Sequence, residues 1–222
     1  MKIFVVVPTL NESKTIGRIV AELKPYSDAV VVVDGNSSDN TVELAENAGA
    51  VVLRHIINRY QGAALRTGTY YAIENSESDN DIIVHFDADG QMRAVDVPKV
   101  IEPIKQGLAD VAFGSRFLDN STKMPFLKKY IIMPVAKVIN RSMGIKLTDP
   151  QSGFRTFTVG VARQLDFQQD GYAHCSEILT QVHKKKFRIV EVPITVIYNR
   201  FGLSFGGGFR IIKDILIAKL IK

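Results

Sequence analysis

Two aspartates and a glutamine on alternate residues, Asp87, Asp89 and Gln91, stand where the apolar run Ile82-Ile83-Val84 gives out, in the segment DIIVHFDADGQ. Carboxylate and amide oxygens are hard donors. A site built of them suits Mg²⁺ or Mn²⁺, with phosphate oxygens and water completing the coordination. In an extended segment residues i, i+2 and i+4 share one face, so the three oxygens would point together, while Gly90 lets the backbone turn. A bare Asp-x-Asp is also the composition of a solvated acidic turn. Which of the two it is depends on what the rest of the chain brings to the same place.

The elements that must position these residues alternate along the chain. Residues 2–7 form an apolar run that ends at Pro8-Thr9-Leu10-Asn11-Glu12. Asn11 or Ser13 can then cap a helix whose apolar positions Ile16, Ile19, Val20 and Leu23 follow the helical period and which Pro25 closes. A second run, 29–33, ends in Asp34, and Ser38 or Asp39 is placed to cap a helix stopped by Gly49. A third strand over 51–56 precedes a helix over 62–75, the strand leading to Asp87 is fourth, and a helix over 97–106 leads to a fifth strand, 110–113, ending in Gly114-Ser115-Arg116. This alternation predicts a parallel, doubly wound α/β sheet, whose ligands bind beyond the carboxyl ends of the strands. Asn11, Glu12, Asp34, Asp87 and Asp89 all fall at such ends.

After Arg116 the pattern changes. Residues 126–141 gather Ile131, Ile132, Val135, Val138 and Ile139 on one side and Lys129, Lys137, Asn140 and Arg141 on the other. Such a segment fits a membrane surface with anionic headgroups or the face of the sheet. Thr148 to Arg155 reads as a polar loop, 176–186 as a helix, 188–198 as a final strand, and 211–222 as an apolar docking tail.

Composition narrows the field. With 222 residues, 46% hydrophobic and 23% charged, the chain is long and apolar enough for one substantial core. A net charge of +5 and a pI near 9.2 suit an anionic partner without choosing among phosphates, nucleic acid and a membrane surface. Lys184 to Lys186 reads as a solvated helix end, since no aromatic interleaving marks a nucleic-acid surface. The single Cys175 rules out an internal disulfide, and neither it nor the four histidines show paired metal-ligand spacing. The apolar N-terminal run breaks at Pro8, too short for a secretory signal, and no apolar stretch of about 18 residues occurs. The expected location is cytoplasmic, with at most peripheral membrane contact. Neither G-x-G-x-x-G nor a P-loop appears, which argues against the usual dinucleotide and NTPase folds.

The ordered set VVVPTLNE, VVVDGNSSDNT, FDADGQ, GSRF, TDPQSGFR and YNRFGLS resembles glycosyltransferase family 2, and within it the dolichyl- or polyprenyl-phosphate mannosyl and glucosyl synthases. The motifs run from Val5 to Ser204. The resemblance implies one GT-A-type catalytic domain over 1–205 with a mostly parallel sheet and flanking helices, and a helical tail over 206–222. It also implies a nucleotide-sugar donor, UDP or GDP, a divalent cation, and inversion at the anomeric carbon.

By motif, Pro8, Asn11, Glu12 and Asp34 resemble nucleotide-binding residues, and Asp87, Asp89 and Gln91 the metal site. Arg116 resembles an acceptor-phosphate contact. Arg200 resembles a holder of the donor diphosphate, with Ser204 beside it. Asp149, Gln151 and Ser152 belong to the segment that shapes the acceptor side. Gly62 closes Asn58-Arg59-Tyr60-Gln61-Gly62, which stands where the family has a basic, glycine-containing donor segment, and a usual Lys is absent from it. Phe205 likewise replaces the Lys that commonly follows Ser204.

These residue types suit the chemistry. As the glycosidic bond breaks, charge develops on diphosphate oxygens, where a cation held by Asp87 and Asp89, with Arg200, would stabilise it. A lipid-phosphate acceptor is already an anion and needs no base, whereas a hydroxyl acceptor needs a carboxylate, for which Asp149 is the candidate. A nucleotidyltransferase would favour a Gly-rich basic N-terminal loop, which PTLNE is not. A non-catalytic nucleotide-sugar or lipid-binding module would not need the intact Asp87-Asp89-Gln91 set.

Overall fold

Runs of Val and Ile that have no polar side to turn outward must be covered on both faces, and a central sheet between helices is how this chain covers them. The structure, a computed structural model, describes residues 1–118, 147–171 and 173–197. Strands β1 (Ile3–Thr9), β2 (Ala29–Asp34), β3 (Val51–Arg54), β4 (Ile82–His85), β5 (Val111–Ser115), β6 (Arg155–Thr158) and β7 (Ile189–Pro193) form one sheet in the order β3-β2-β1-β4-β6-β5-β7. Helices α1 (Ile16–Leu23), α2 (Thr41–Asn47), α3 (Tyr60–Glu74), α4 (Val97–Lys105), α5 (Val159–Ala162) and α6 (His174–Lys184) connect and flank it.

Alternation along β1 shows how the two cores divide. Val5 and Val7 pack with Ile16, Ile19, Val20 and Leu23 of α1 and Val97, Val100 and Ile101 of α4. Phe4 and Val6 face the other way, toward Ala64 and Leu65 of α3 and Ile178, Leu179 and Val182 of α6. Period-2 side chains on a strand and period-3.6 stripes on the helices meet on each face.

The sheet is mostly parallel, with one exception that the sequence pattern hid. Strand β6 runs antiparallel between β4 and β5, pairing Ile82 with Thr158 on one side and Val111 with Phe157 on the other. RTFT carries an arginine and two threonines, so it reads as the continuation of a polar loop, yet Arg155, Thr156 and Phe157 are all wholly buried. Strand ends also move. Strand β1 continues through Thr9, which pairs with Asp34, and β5 reaches Ser115, which pairs with Pro193. The final strand is short, and beyond it Val196 forms an isolated bridge with Met92.

Helix α1 starts after Thr15 with no side-chain cap, so neither Asn11 nor Ser13 serves it. Thr15 instead donates its hydroxyl to Ala88 O at 2.8 Å, tying the helix start to the turn beyond β4. Helix α2 starts after Asn40, again with no side-chain cap, so neither Ser38 nor Asp39 caps it. The carboxylate of Asp39 instead accepts from the Thr41 N–H at 3.1 Å and from its hydroxyl, closing the turn that leads into the helix.

Candidate active site at the carboxyl edge of the sheet

The turn after β4 does not stay extended, so the expected shared face is replaced by a folded arrangement. Ala88 to Gly90 form the turn, Gly90 has φ +72°, and Asp89 Oδ1 accepts the Gln91 N–H at 2.9 Å. An aspartate that bonds the amide two residues on closes such a turn by itself. Gln91 is half-buried at its end, its carbonyl accepting from Ile197 N–H at 2.9 Å. Asp87 is half-buried, and its Oδ1 accepts from Gln61 Nε2 at 2.8 Å.

Charge accumulates here. Burial and then the neighbouring Asp89 push the Asp87 carboxyl up to about 6, against the opposing pull of Arg155, His174 and Arg116. The Glu12 carboxyl is also raised, first by burial and then by Asp89 and Asp39, although a hydrogen bond from Thr15 works the other way. Among the described residues no three His, Cys, Asp or Glu side chains close a full cage. Two carboxylates at the end of a strand are nevertheless the protein share that a cation bound together with phosphates requires. Backbone space is reserved for Asp87 as well. A Cβ built on Gly153 would lie 2.3 Å from Asp87 Oδ2 and 2.9 Å from its Cγ, so only glycine lets the 152–154 peptide lie against this carboxylate.

The ends of β1 and β2 are laced to each other. Pro8 is buried in β1, and Asn11 adopts φ +56° with its N–H donating to Ser37 Oγ at 2.8 Å. Asn11 Oδ1 accepts the Ser38 N–H at 2.9 Å, and the Glu12 N–H reaches Thr41 Oγ1 at 2.8 Å. Asp34 is wholly buried and accepts from the N–H groups of Asn36 (3.1 Å) and Ser37 (2.9 Å) and from the Ser37 hydroxyl. Its oxygens thus shape its own turn. Gly62 lies buried in α3, its N–H donating to Asp170 O at 2.7 Å, and an added Cβ would sit 2.1 Å from Gln169 O. Close packing against the 169–170 backbone explains this glycine and takes its amide out of ligand reach.

Beyond β5 two residues expected to act separately are joined. Arg116 donates Nε–H to Asp149 Oδ2 and Nη2–H to Oδ1, both at 2.6 Å, and its backbone N–H to Oδ2 at 3.1 Å. Asp149 is 1% exposed. A base must meet the incoming hydroxyl, whereas Asp149 is closed to solvent and faces the Arg116 guanidinium with both oxygens, an arrangement suited to holding Arg116. Glu191 in turn accepts the Thr148 and Asp149 N–H groups, at 2.8 to 2.9 Å, and fixes the loop from β7. Gln151 is half-buried and reaches Ser176 Oγ at 3.3 Å. Ser152 is buried, with Oγ accepting the Phe154 N–H at 3.3 Å, so it braces the loop. Arg200, Ser204, residues 126–141 and the tail over 206–222 lie outside the described residues.

Sequence reasoning passed over a buried polar group beneath this edge. His85, Arg155, His174 and Cys175 sit on the α3 and α6 side of the sheet. His85 shares a hydrogen bond with Thr69 at 2.9 Å and meets the Phe157 ring edge-on at 5.0 Å. Burial, then the Arg155 and His174 charges, hold its pKa well below the usual histidine value. Burial pushes the Cys175 thiol up, but the Arg155 and His174 charges and their hydrogen bonds outweigh that and bring it down to about 6. The alternation of Arg155 with Phe157 was the available signal, since an arginine in period with a core phenylalanine marks a strand position facing inward. Gln61 had none.

The family model of Glycosyl transferase family 2 matches residues 4–166. An uncharacterized protein of Methanocaldococcus jannaschii is 38% identical, over 99% of this chain and 93% of its own length. A UDP-N-acetylglucosamine–dolichyl-phosphate N-acetylglucosaminyltransferase of Methanococcus voltae is 31% identical, over 99% of this chain and 97% of its own. Among solved structures, glucosyl-3-phosphoglycerate synthase from Mycobacterium tuberculosis, in complex with Mn²⁺, UDP and glucosyl-3-phosphoglycerate, superposes with a TM-score of 0.75. That likeness, at 21% identity over 98% of this chain and 79% of that one, is one of fold.

Proposed function

This chain belongs to glycosyl transferase family 2, and from that premise we propose that it transfers a sugar from a nucleoside-diphosphate donor to a polyprenyl or dolichyl phosphate, with Mg²⁺ or Mn²⁺ held at Asp87 and Asp89. The Methanococcus voltae relative, which matches along almost the whole of both chains, is named for such an acceptor. The observation that carries the acceptor class is the Arg116–Asp149 pair. With both oxygens of Asp149 engaged and the residue closed to solvent, the loop that should carry a base for a hydroxyl acceptor carries none. A phosphate monoester arrives already ionised and needs no base.

In the proposed reaction an acceptor phosphate oxygen bonds to the anomeric carbon while the bond from that carbon to the donor diphosphate breaks, and the departing electron pair stays on the diphosphate. The cation would neutralise that growing charge. Gln61 holds Asp87 by its Oδ1, the 152–154 peptide packs against the same carboxylate, and Asp89 closes the turn that carries both. Asn11, Glu12 and Asp34 build the adjoining wall for the nucleoside. Arg116, oriented by Asp149, is the acceptor-phosphate contact. Gln91 stands as the third oxygen donor to the cation, and Arg200 and Ser204 as contacts to the diphosphate. Access to a lipid phosphate would be from the membrane surface; among the described residues no helix is long and apolar enough to cross a membrane.

The test has two stages. Thermal shift with a panel of nucleotides and nucleotide sugars, with and without Mn²⁺, reads donor and cation together, because a ligand of the folded state raises apparent stability. The expected result is a Mn²⁺-dependent shift with one nucleoside diphosphate that disappears in Asp89→Ala. Transfer from that donor is then assayed with a polyprenyl phosphate and with the corresponding free polyprenol. Transfer to the alcohol in preference to the phosphate would overturn the acceptor assignment.

A further inference from the structure

We propose that Arg155 is a positioning residue for the cation site, pinning the Ser152–Gly153 peptide against Asp87 from within the core. This rests on Asp87 being a cation ligand and goes beyond that reading by naming what fixes its carboxylate. Arg155 is wholly buried on β6, directly opposite His85 across the strand pair. Its Nε–H donates to Ser152 O at 3.0 Å and its Nη2–H to Cys175 Sγ at 2.6 Å, while Nη1 has no hydrogen-bond partner among the described residues. No carboxylate of the described residues lies within ion-pair distance of it. Burying a guanidinium on such terms is costly for stability alone, and a well-packed apolar side chain would serve a core better.

What the arrangement achieves is geometric. Ser152 O is the carbonyl of the peptide bond to Gly153, and Gly153 is the residue whose missing Cβ leaves room for Asp87. One side chain therefore connects the start of α6, through Cys175, to the peptide that walls in the carboxylate. Lysine cannot reproduce the link, because a single ammonium lacks the planar fork that reaches a carbonyl and a sulfur at once. Partners that orient a ligand without touching the metal commonly change metal affinity by roughly 10- to 100-fold.

Binding of Mn²⁺, alone and with UDP or GDP, is measured by the loss of its free EPR signal, with a melting curve for each variant. The panel is wild type, Asp87→Ala, Gly153→Ala, Arg155→Lys, Cys175→Ser and, as a control, Gly171→Ala, whose added Cβ meets nothing within 4 Å. Gly153→Ala and Arg155→Lys are each expected to weaken Mn²⁺ binding by at least about tenfold. Cys175→Ser, which replaces the sulfur with a smaller acceptor, is expected to weaken it less, and the control should match wild type. Wild-type affinity in a folded Arg155→Lys or Gly153→Ala, while Asp87→Ala has lost binding, overturns the proposal and leaves the cation site standing. If wild type and Asp87→Ala bind alike, it is the cation site that fails. Should Arg155→Lys not fold, Gly153→Ala and Cys175→Ser decide, since neither alters the buried guanidinium.

Discussion

Asp87 and Asp149 end up at the same edge of the sheet in opposite electrostatic surroundings. Asp87 has another carboxylate, Asp89, next to it in the turn and an uncharged amide, Gln61, as its hydrogen-bond donor. Asp149 has a guanidinium on both oxygens. Placing like charges together disfavours ionisation and is relieved by a cation, whereas a closed ion pair has its charge already balanced. The contrast teaches that residue type alone misassigns roles. Both are aspartates in motif loops, but the first is suited to bind and the second to orient.

The sharpest break of this contrast compares Asp89→Ala with Asp149→Asn. Removing a group that stabilises charge on the leaving diphosphate is expected to lower kcat by roughly 10²- to 10³-fold and to abolish the Mn²⁺-dependent thermal shift. Asp149→Asn keeps one acceptor for Arg116 and should retain most turnover, with the larger change in acceptor KM. Equal damage to kcat in the two variants would mean that Asp149 takes a proton after all.

The arginine side of the contrast is tested by stability. Arg116→Ala leaves the closed-in Asp149 without its guanidinium, and such a loss is expected to destabilise the protein by about 3 kcal/mol. The double variant Arg116→Ala/Asp149→Ala should be less destabilised than the sum of the single changes, because the penalty lies in the abandoned partner. Simple additivity in urea unfolding would show that the pair is not coupled.

The cation side is tested by pH. The folded pKa of Asp87 is raised from the ordinary carboxylate value to about 6, so the folded state binds this proton more tightly than the unfolded chain does. In the absence of a cation, this residue's effect is therefore a loss of stability as pH rises from about 4 through 6. Asp87→Asn should flatten that slope. Mn²⁺, which competes with the proton, is expected to bind more weakly as pH falls through about 6, an effect read by titrations at pH 5, 6 and 7. Affinity unchanged over that range would remove Asp87 from the site.

How much of this could be read from the sequence also differs between the two corners. The apolar strand runs, the helical period of α1 and the positions of Asp34 and Asp87 after strands follow from local pattern. Burial on two faces demands continuous apolar residues, and function gathers where they stop. The acceptor side is built by contacts between residues far apart in sequence, Arg116 with Asp149 and Thr148 with Glu191, which no window of local pattern contains. Strand β6 was hidden because an arginine stands beside Phe157 among its inward residues, and the burial of that arginine depends on the Cys175 and Ser152 contacts. The turn at Asp87 was half legible. Gly90 marked the bend, but the alternation of Asp87, Asp89 and Gln91 suggested an extended face, and only the Asp89–Gln91 hydrogen bond shows that the bend comes first.

The smallest expected effect separates two roles within the donor wall itself. Asn11 combines a left-handed backbone, φ +56°, with a side chain that accepts the Ser38 N–H, so it both tolerates the turn and ties it to the loop after β2. Asn11→Gly keeps the backbone freedom and removes the tie, while Asn11→Ala removes the tie and adds the strain of an L side chain in that region, about 1 kcal/mol. If Asn11 only shapes the turn, the glycine variant should melt below wild type by the lost tie alone, the alanine variant a few degrees lower still, and both should bind nucleotide nearly alike. If its side chain touches the donor, both variants should lose nucleotide affinity together whatever their melting points. Because the orders differ, by stability in one case and by affinity in the other, the pair assigns Asn11 to the scaffold or to the ligand without a structure of the complex.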